Sequence, residues 1–349
     1  MDDLDKRILT DLQTALPLAE RPFHALAERL GVPPDDLLVR VRRLANVGII
    51  RRIGPVFDSG RLGYVSRLVA ARVPADRVED AAAHVNRLPG VTHNYERRGA
   101  YNLWFTLTAP SQADLERALD DLRRDTGIPD FHSLPALAVY KVRVHFDVAG
   151  EAASDAAEPA VAAARPPPSP FAPGRPAPAP PRRRARSPGI PPPLSEQEKQ
   201  LVRLLQDGLP VEREPFAEAA RRLGWTDHEV AEQVRAWLAR GVIRRFGAVV
   251  RHRELGFRAG GMAVFRVPAD EVDAAGRRLA AHAEVSHCYR RPPLPDFPYN
   301  LFAMVHGRSE AAVREAVARM AADAGLAEYD VLLSGREFKK ASMRYYLED

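Results

Sequence analysis

The sequence repeats itself, and that repetition limits the fold more than any other feature. NVGIIRRIGPVFDSGRLGY at 46–64 returns as ARGVIRRFGAVVRHRELGF at 239–257, with Gly48 matching Gly241 at an offset of 193. VPAD at Val73 returns at Val267, and V-T-H-N-Y at Val91 returns as V-S-H-C-Y at Val285, both at offset 194. YNLWF at Tyr101 returns as YNLFA at Tyr299, at offset 198. Slips this small mean one unit used twice, so the element order of one half must recur in the other. The largest insertion, PPLPDFP at 292–298, falls in a turn directly after the second His-Tyr motif.

Between the copies, 150–193 is built from Ala, Pro and Arg. Such a segment cannot bury enough apolar surface to offset the entropy of ordering, so a semi-extended tether is expected. Its RRRAR run at 182–186 reads as a solvated charge cluster rather than a nucleic-acid arm.

Within the first half, Leu4, Ile8, Leu9 and Leu12 recur at helical spacing. A second helix, Pro22 to Leu30, is closed by Gly31, and a third, Pro34 to Val47, by Gly48, with Asp35 and Asp36 in its first turn. Three short helices with a Gly-bearing turn predict a helix-turn-helix, and IIRRIGPVFD suits a small β-wing. There follow a strand (Val65 to Val73), a helix (Asp76 to Leu88), strands Val91 to Arg97 and Tyr101 to Thr108, a helix from the cap Ser111 to about Thr126, and a last strand within 131–146. That order is βαββαβ, a ferredoxin-like sandwich with helices on one sheet face and the other left available. The second half repeats it, with helices at Asp270 to His282 and Ser309 to Ala324. The fold class is therefore α+β, a tandem of winged helix-turn-helix plus ferredoxin-like domain. The expected division is 1–62 and 63–149 for the first copy, 150–193 for the linker, and 194–255 and 256–349 for the second copy.

Charge argues against nucleic acid as the main partner. The net charge is +5, but 150–193 holds six Arg and three acidic residues, so the folded parts carry only +2. No run is long and apolar enough to span a bilayer, and MDDLDKRILTDL lacks the order of a signal peptide, so a cytoplasmic protein is expected. The single cysteine, Cys288, excludes an internal disulfide and a Cys-based zinc cage. A Cys-His nucleophile is disfavoured too: Cys288 and His287 are adjacent on a strand and so point to opposite faces, and the first half has Asn94 there.

The sharpest local feature is His-x-Tyr-x-Arg: His93, Tyr95 and Arg97, then His287, Tyr289 and Arg291. Alternate strand residues share a face, so each half aims an imidazole, a phenol and a guanidinium one way. Histidine suits proton transfer or iron ligation, tyrosine stacks or donates a hydrogen bond, and arginine grips carboxylates. A single copy would read as the wet face of a sheet; two copies in diverged halves favour function. Asn102 and Asn300 each follow the tyrosine of the third strand and fit either a turn hydrogen bond or a substrate contact. His306 has Thr108 as counterpart and reads either as a second acid/base or as an exposed loop residue. Arg51, Arg52, Arg244 and Arg245 in the wings, and Lys141, Arg143, Lys339, Lys340 and Arg344 near the halves' ends, are further cations; most should be solvated.

Helix-turn-helix plus this sandwich resembles the Lrp/AsnC regulators in layout. The blocks HNYERRGAYNLWFT and SHCYRRPPLPDFPYNLFAMVHG, with the closing YKVRVHFD and EFKKASMRYY, are similar in detail to the two paralogous subunits of sirohaem decarboxylase, here fused. The resemblance covers both folded halves. It implies a carboxy-lyase that removes two acetate carboxyl groups from sirohaem to give didecarboxysirohaem, towards haem d1 or towards protohaem. It also implies no cofactor beyond the substrate's own iron, to which His93 or His287 is a candidate axial ligand. His93 and His287 become the candidate catalytic residues; Tyr95, Arg97, Tyr289, Arg291, Asn102, Asn300, Lys141 and Lys339 become candidate substrate contacts. The two halves are expected to pair as an intramolecular pseudo-dimer, with a homodimer or a complex with paralogous subunits also open. The competing expectations are a DNA-binding Lrp/AsnC-type regulator and a haem sensor. Against DNA, the recognition helices would begin PDDLL and TDHEV, placing acid where phosphates would lie.

Overall fold

The computed structural model describes residues 1–14, 16–142, 193–250, 259–294 and 296–347. The expected linker at 150–193, its RRRAR run and Arg143 therefore lie outside the described residues, apart from Pro193.

The first helix-turn-helix comprises α1 (Asp3–Thr14), α2 (Pro22–Leu30) and α3 (Pro34–Asn46). Gly31 closes α2 in the left-handed conformation that only glycine adopts cheaply. The second comprises α6 (Glu196–Leu205), α7 (Ala217–Leu223) and α8 (Asp227–Ala239), with α6 and α8 each started by a reciprocal capping box, Ser195/Glu198 and Thr226/Glu229. The segments expected as wings do something else. β1 (Ile50–Phe57) and β7 (Ile243–Val250) pair with each other, antiparallel, in a two-stranded ribbon. The apolar faces of both triplets, including Leu12, Phe23, Leu201, Phe216 and Trp237, then merge into one core. The C-terminal tail joins it, with Tyr345 buried and its hydroxyl 2.8 Å from Ser59 Oγ.

Gly247 in β7 shows how close that pairing is. Its φ is +157°, and a Cβ there would sit 2.3 Å from the Leu12 carbonyl oxygen. Gly247→Ala should therefore cost about 1–3 kcal/mol, read as a lowered thermal midpoint; an unchanged midpoint would show that α1 yields freely.

In the sandwich region the first half supplies β2 (Val65–Ala71), α4 (Val78–Arg87), β3 (Val91–Arg97), β4 (Leu103–Ala109), α5 (Gln112–Thr126), β5 (Phe131–Leu134) and β6 (Ala138–Val142). The second supplies β8 (Ala259–Phe265), α9 (Val272–Ala281), β9 (Val285–Arg290), β10 (Leu301–Gly307), α10 (Glu310–Ala324) and β11 (Tyr329–Lys340). Each half has the ferredoxin-like strand order, β5-β2-β4-β3 and β11-β8-β10-β9.

The sheets are not separate, however. β11 pairs with β8 of its own half over Tyr329–Leu333 and then with β3 of the other half as far as Lys340. The expected last strand of the first half divides in the same way: β5 stays on β2, while β6 crosses to β9. Pro135 lies at the break, where a residue without an N–H cannot continue a ladder. All nine strands thus form one sheet whose two edge strands are separated by three residues of chain. Helices cover the outside over two apolar cores, one per half. The helix-free faces turn towards each other and share a third core, with Trp104, Tyr101 and Leu134 from one half and Met262, Phe302 and Leu332 from the other. The 292–298 insertion adds Phe297 to that core, while its Asp296 accepts from Tyr101 Oη at 2.8 Å and pairs with Arg72.

Candidate active site

β3 and β9 carry the two His-Tyr-Arg triplets, and the residue between His and Tyr fixes their side. Asn94 is buried under α4, donating to Ala82 O, and Cys288 is buried under α9, its Sγ 3.7 Å from Gly276 O. Both therefore face the helices, and the triplets face the space between the sheets. Burial pushes the Cys288 thiol up to about 12, so it is no thiolate nucleophile.

The triplets form matching ladders. His93 stacks on Tyr95 with ring centroids 6.3 Å apart, and His287 on Tyr289 at 6.1 Å. The guanidinium of Arg97 lies 5.6 Å from the Tyr95 ring centre, and that of Arg291 lies 4.8 Å from Tyr289. Each arginine also reaches into the other half: Arg97 Nη1 donates to Leu332 O at 2.9 Å, and Arg291 Nη1 donates to Leu134 O. They are only 7% and 9% exposed, their Nε atoms have no hydrogen-bond partner, and neither joins an ion pair among the described residues. Burial draws both guanidiniums down to about 10, so they remain cationic at neutrality.

Both imidazoles are held near pH 4, mainly by burial. Neighbouring groups add to this: Lys340 and Arg51 lower His93 further while Glu337 opposes them, and His306, His93, Arg244 and Arg291 each disfavour a charge on His287. The first half's imidazole is thus among the groups that disfavour a charge on the second half's. Arg51 and Arg244 come from the β1–β7 ribbon, so the helix-turn-helix pair contributes charge to the same space.

A β-bulge adds a hydroxyl to each face. The ladder slips at Thr92 and again at Ser286, so these residues do not alternate away from the histidine that follows. Thr92 Oγ1 lies 2.9 Å from His93 Nδ1, and Ser286 Oγ lies 3.0 Å from His287 Nδ1. Strict alternation hid these hydroxyls, although a Thr or Ser precedes the histidine in both copies.

Other expected contacts have different duties. Asn102 accepts from Val73 N and donates to Val73 O, and Asn300 does the same with Val267. Their amides therefore tie strand ends together, the turn-side role. Lys141 donates to His282 O, and Lys339 donates to Asn86 O and Leu88 O. They sit opposite Cys288 and Asn94 in the ladders, on the helix side, and cap the C-terminal ends of α9 and α4 rather than facing the triplets. Arg52 and Arg245 are half-buried in the ribbon, donating to Pro55 O and Ala248 O. Arg344 pairs with Asp207.

The helix-turn-helix pair is closed on itself. Asp35, at the start of α3, accepts from Arg213 Nη2 through both carboxylate oxygens, at 2.9 and 2.7 Å, and Arg21 and His228 bind Glu214 and Glu20 across the same junction. No helix among the described residues is long and apolar enough to cross a membrane, and they contain no group of three or more His, Cys, Asp or Glu able to hold a metal.

Comparison with known proteins agrees with this architecture. The model of the "AsnC-like ligand binding domain" matches 61–141 and 254–339, and that of the "Siroheme decarboxylase NirDL-like HTH domain" matches 5–51 and 198–244. The siroheme decarboxylase of Hydrogenobacter thermophilus is 34% identical over 349 residues, 100% of this chain and 96% of that protein. The siroheme decarboxylase alpha subunit of Desulfovibrio desulfuricans is 46% identical over 146 residues, 42% of this chain and 84% of the subunit. A crystal structure of the siroheme decarboxylase NirDL in complex with an iron-uroporphyrin III analogue superposes with a TM-score of 0.70 at 33% identity, covering 99% of this chain and 94% of that one. On whole-length identity and on both domain types in duplicate, the chain belongs to the siroheme decarboxylase family.

Proposed function

We propose that this chain decarboxylates sirohaem, converting two acetate side chains to methyl groups and yielding didecarboxysirohaem. One observation carries the reading beyond family membership. Two histidine faces, each with a buried arginine lacking a carboxylate partner among the described residues, look into one space between the halves. Buried cations without counter-ions suit a ligand that brings its own carboxylates. The relative that occurs as an alpha subunit corresponds to one half of this chain, so the pairing it would need from a second subunit is internal here.

The chain's own groups divide as follows. Arg97 and Arg291 anchor carboxylates that stay, because an arginine on the departing one would stabilise the ground state more than the charge-dispersed transition state. The departing acetate sits in the desolvated region near the histidines. Carbon dioxide leaves, the macrocycle takes up the bonding electron pair, and an imidazole of His93 or His287 gives the proton that completes the methyl group. Neutral imidazoles fit that role, since their depressed proton affinity makes them ready donors once a proton is supplied behind them. The iron belongs to the substrate.

Anaerobic incubation of the purified protein with sirohaem, followed by mass analysis, should show loss of two carbon dioxide units. Unchanged sirohaem together with tight binding to promoter DNA would sink the reading in favour of a regulator.

A further inference from the structure

The two faces differ in what stands behind the histidine's hydroxyl neighbour. In the second half, Ser286 Oγ lies 3.0 Å from His287 Nδ1 and 2.9 Å from His306 Nε2, so a buried hydroxyl joins two imidazoles. The first half has Thr92 on His93, but Thr108 stands in place of His306 and donates to Ser66 at 3.0 Å instead. The strand opposite makes room for the exchange. Gly260 faces His306 in the β8–β10 ladder where Ser66 faces Thr108 in the β2–β4 ladder. A Cβ on Gly260 would lie 3.1 Å from Met304 Cε and 3.7 Å from His306 Nδ1. A second imidazole has thus been fitted into one half only.

We propose that His306 is a positioning residue that passes a proton through Ser286 to His287, making the second-half face the one that protonates the substrate carbon. This rests on the decarboxylation reading above. A serine hydroxyl has one proton to give. Its contact with Met304 O, at 3.3 Å, is longer than either imidazole contact, so the hydroxyl is best used between the rings. With His306 Nε2–H donating to Oγ and Oγ–H donating to His287 Nδ1, His287 keeps its own proton on Nε2. A neutral, half-buried imidazole that gave up that proton unaided would become an imidazolate, an anion that its partly desolvated setting strongly disfavours.

The relay removes the difficulty. The bond between methylene and carboxylate breaks, carbon dioxide departs without the bonding pair, and the macrocycle holds that pair on the methylene carbon. His287 Nε2–H protonates the carbon, Ser286 O–H reprotonates Nδ1, His306 Nε2–H restores the hydroxyl, and water protonates partly exposed His306 at Nδ1. One proton is consumed per carbon dioxide, and no oxidant or reductant is needed.

The test uses the full chain, anaerobically, with sirohaem, following binding by absorbance and turnover by mass. His306→Asn and Ser286→Ala should keep sirohaem affinity within about twofold yet decarboxylate about 10- to 100-fold more slowly. The rate plotted against deuterium fraction should curve in the wild type, as several protons move, and be linear in His306→Asn. Added imidazole should restore His306→Gly, which a merely structural loss would not allow. Thr108→Val, the first-half counterpart, should leave the rate unchanged. His306→Asn at the wild-type rate with a curved plot overturns the relay, and so does an equal loss in Thr108→Val. A wild type that binds sirohaem but never decarboxylates it overturns the underlying activity instead.

Discussion

A His287→Ala chain binds sirohaem and fails to decarboxylate it: the expected loss in kcat is about 10²- to 10⁴-fold, the usual scale for removing a positioned acid. The substrate is held by other groups, so the loss should fall on kcat with the dissociation constant little changed. His93→Ala should lose about tenfold or less. The two rings share their stacked tyrosine, bulge hydroxyl and depressed proton affinity, but only His287 has a second imidazole behind its hydroxyl. Single-turnover decarboxylation beside a binding titration checks this. Equal losses in both variants would make the faces chemically equivalent; full activity in both would remove histidine from the chemistry.

What could be read before folding was whatever depends on neighbours along the chain. Alternation within V-T-H-N-Y-E-R is enough to put His93, Tyr95 and Arg97 on one side, and Asn94 under α4 fits the same parity. Helix ends marked by Gly31 and Ser111 are local as well. The rest depends on partners far away in sequence. Nothing in IIRRIGPVFD distinguishes a wing from a strand that pairs with its own duplicate, and β11 has no local reason to leave β8 for β3. That exchange decides which cations reach the site: it sets Lys340 beside His93, where the other half has Val142 beside His287, and it turns Lys339 and Lys141 to the helix side. The bulges at Thr92 and Ser286 broke the alternation rule where the chemistry is densest. The one sign of this in the sequence was a hydroxyl before histidine in both copies.

Keeping two imidazoles neutral in a cationic space has a consequence for stability. Histidine in an unfolded chain takes up its proton near pH 6.5, whereas His93 and His287 in the folded chain resist until about 4. The folded-state values are depressed and the groups are bases, so between those limits the unfolded state binds more protons and stability must fall as pH falls. Each pKa unit is worth about 1.4 kcal/mol, so the pair should remove on the order of 5 kcal/mol between neutrality and pH 4. Carboxylates act in a lower window: Arg40 holds Asp2 down to about 2 and Arg72 depresses Asp296, so their stabilisation is lost only below about pH 4. Denaturant unfolding at pH 7, 5.5 and 4.5 should therefore show a steep loss in the wild type and a shallow one in His93→Gln/His287→Gln. The same slope in both would mean that other groups carry the acid sensitivity. Bound sirohaem should also flatten the wild-type slope, because carboxylates brought next to these rings favour their protonated forms and offset the repulsion from Lys340, Arg51, Arg244 and Arg291.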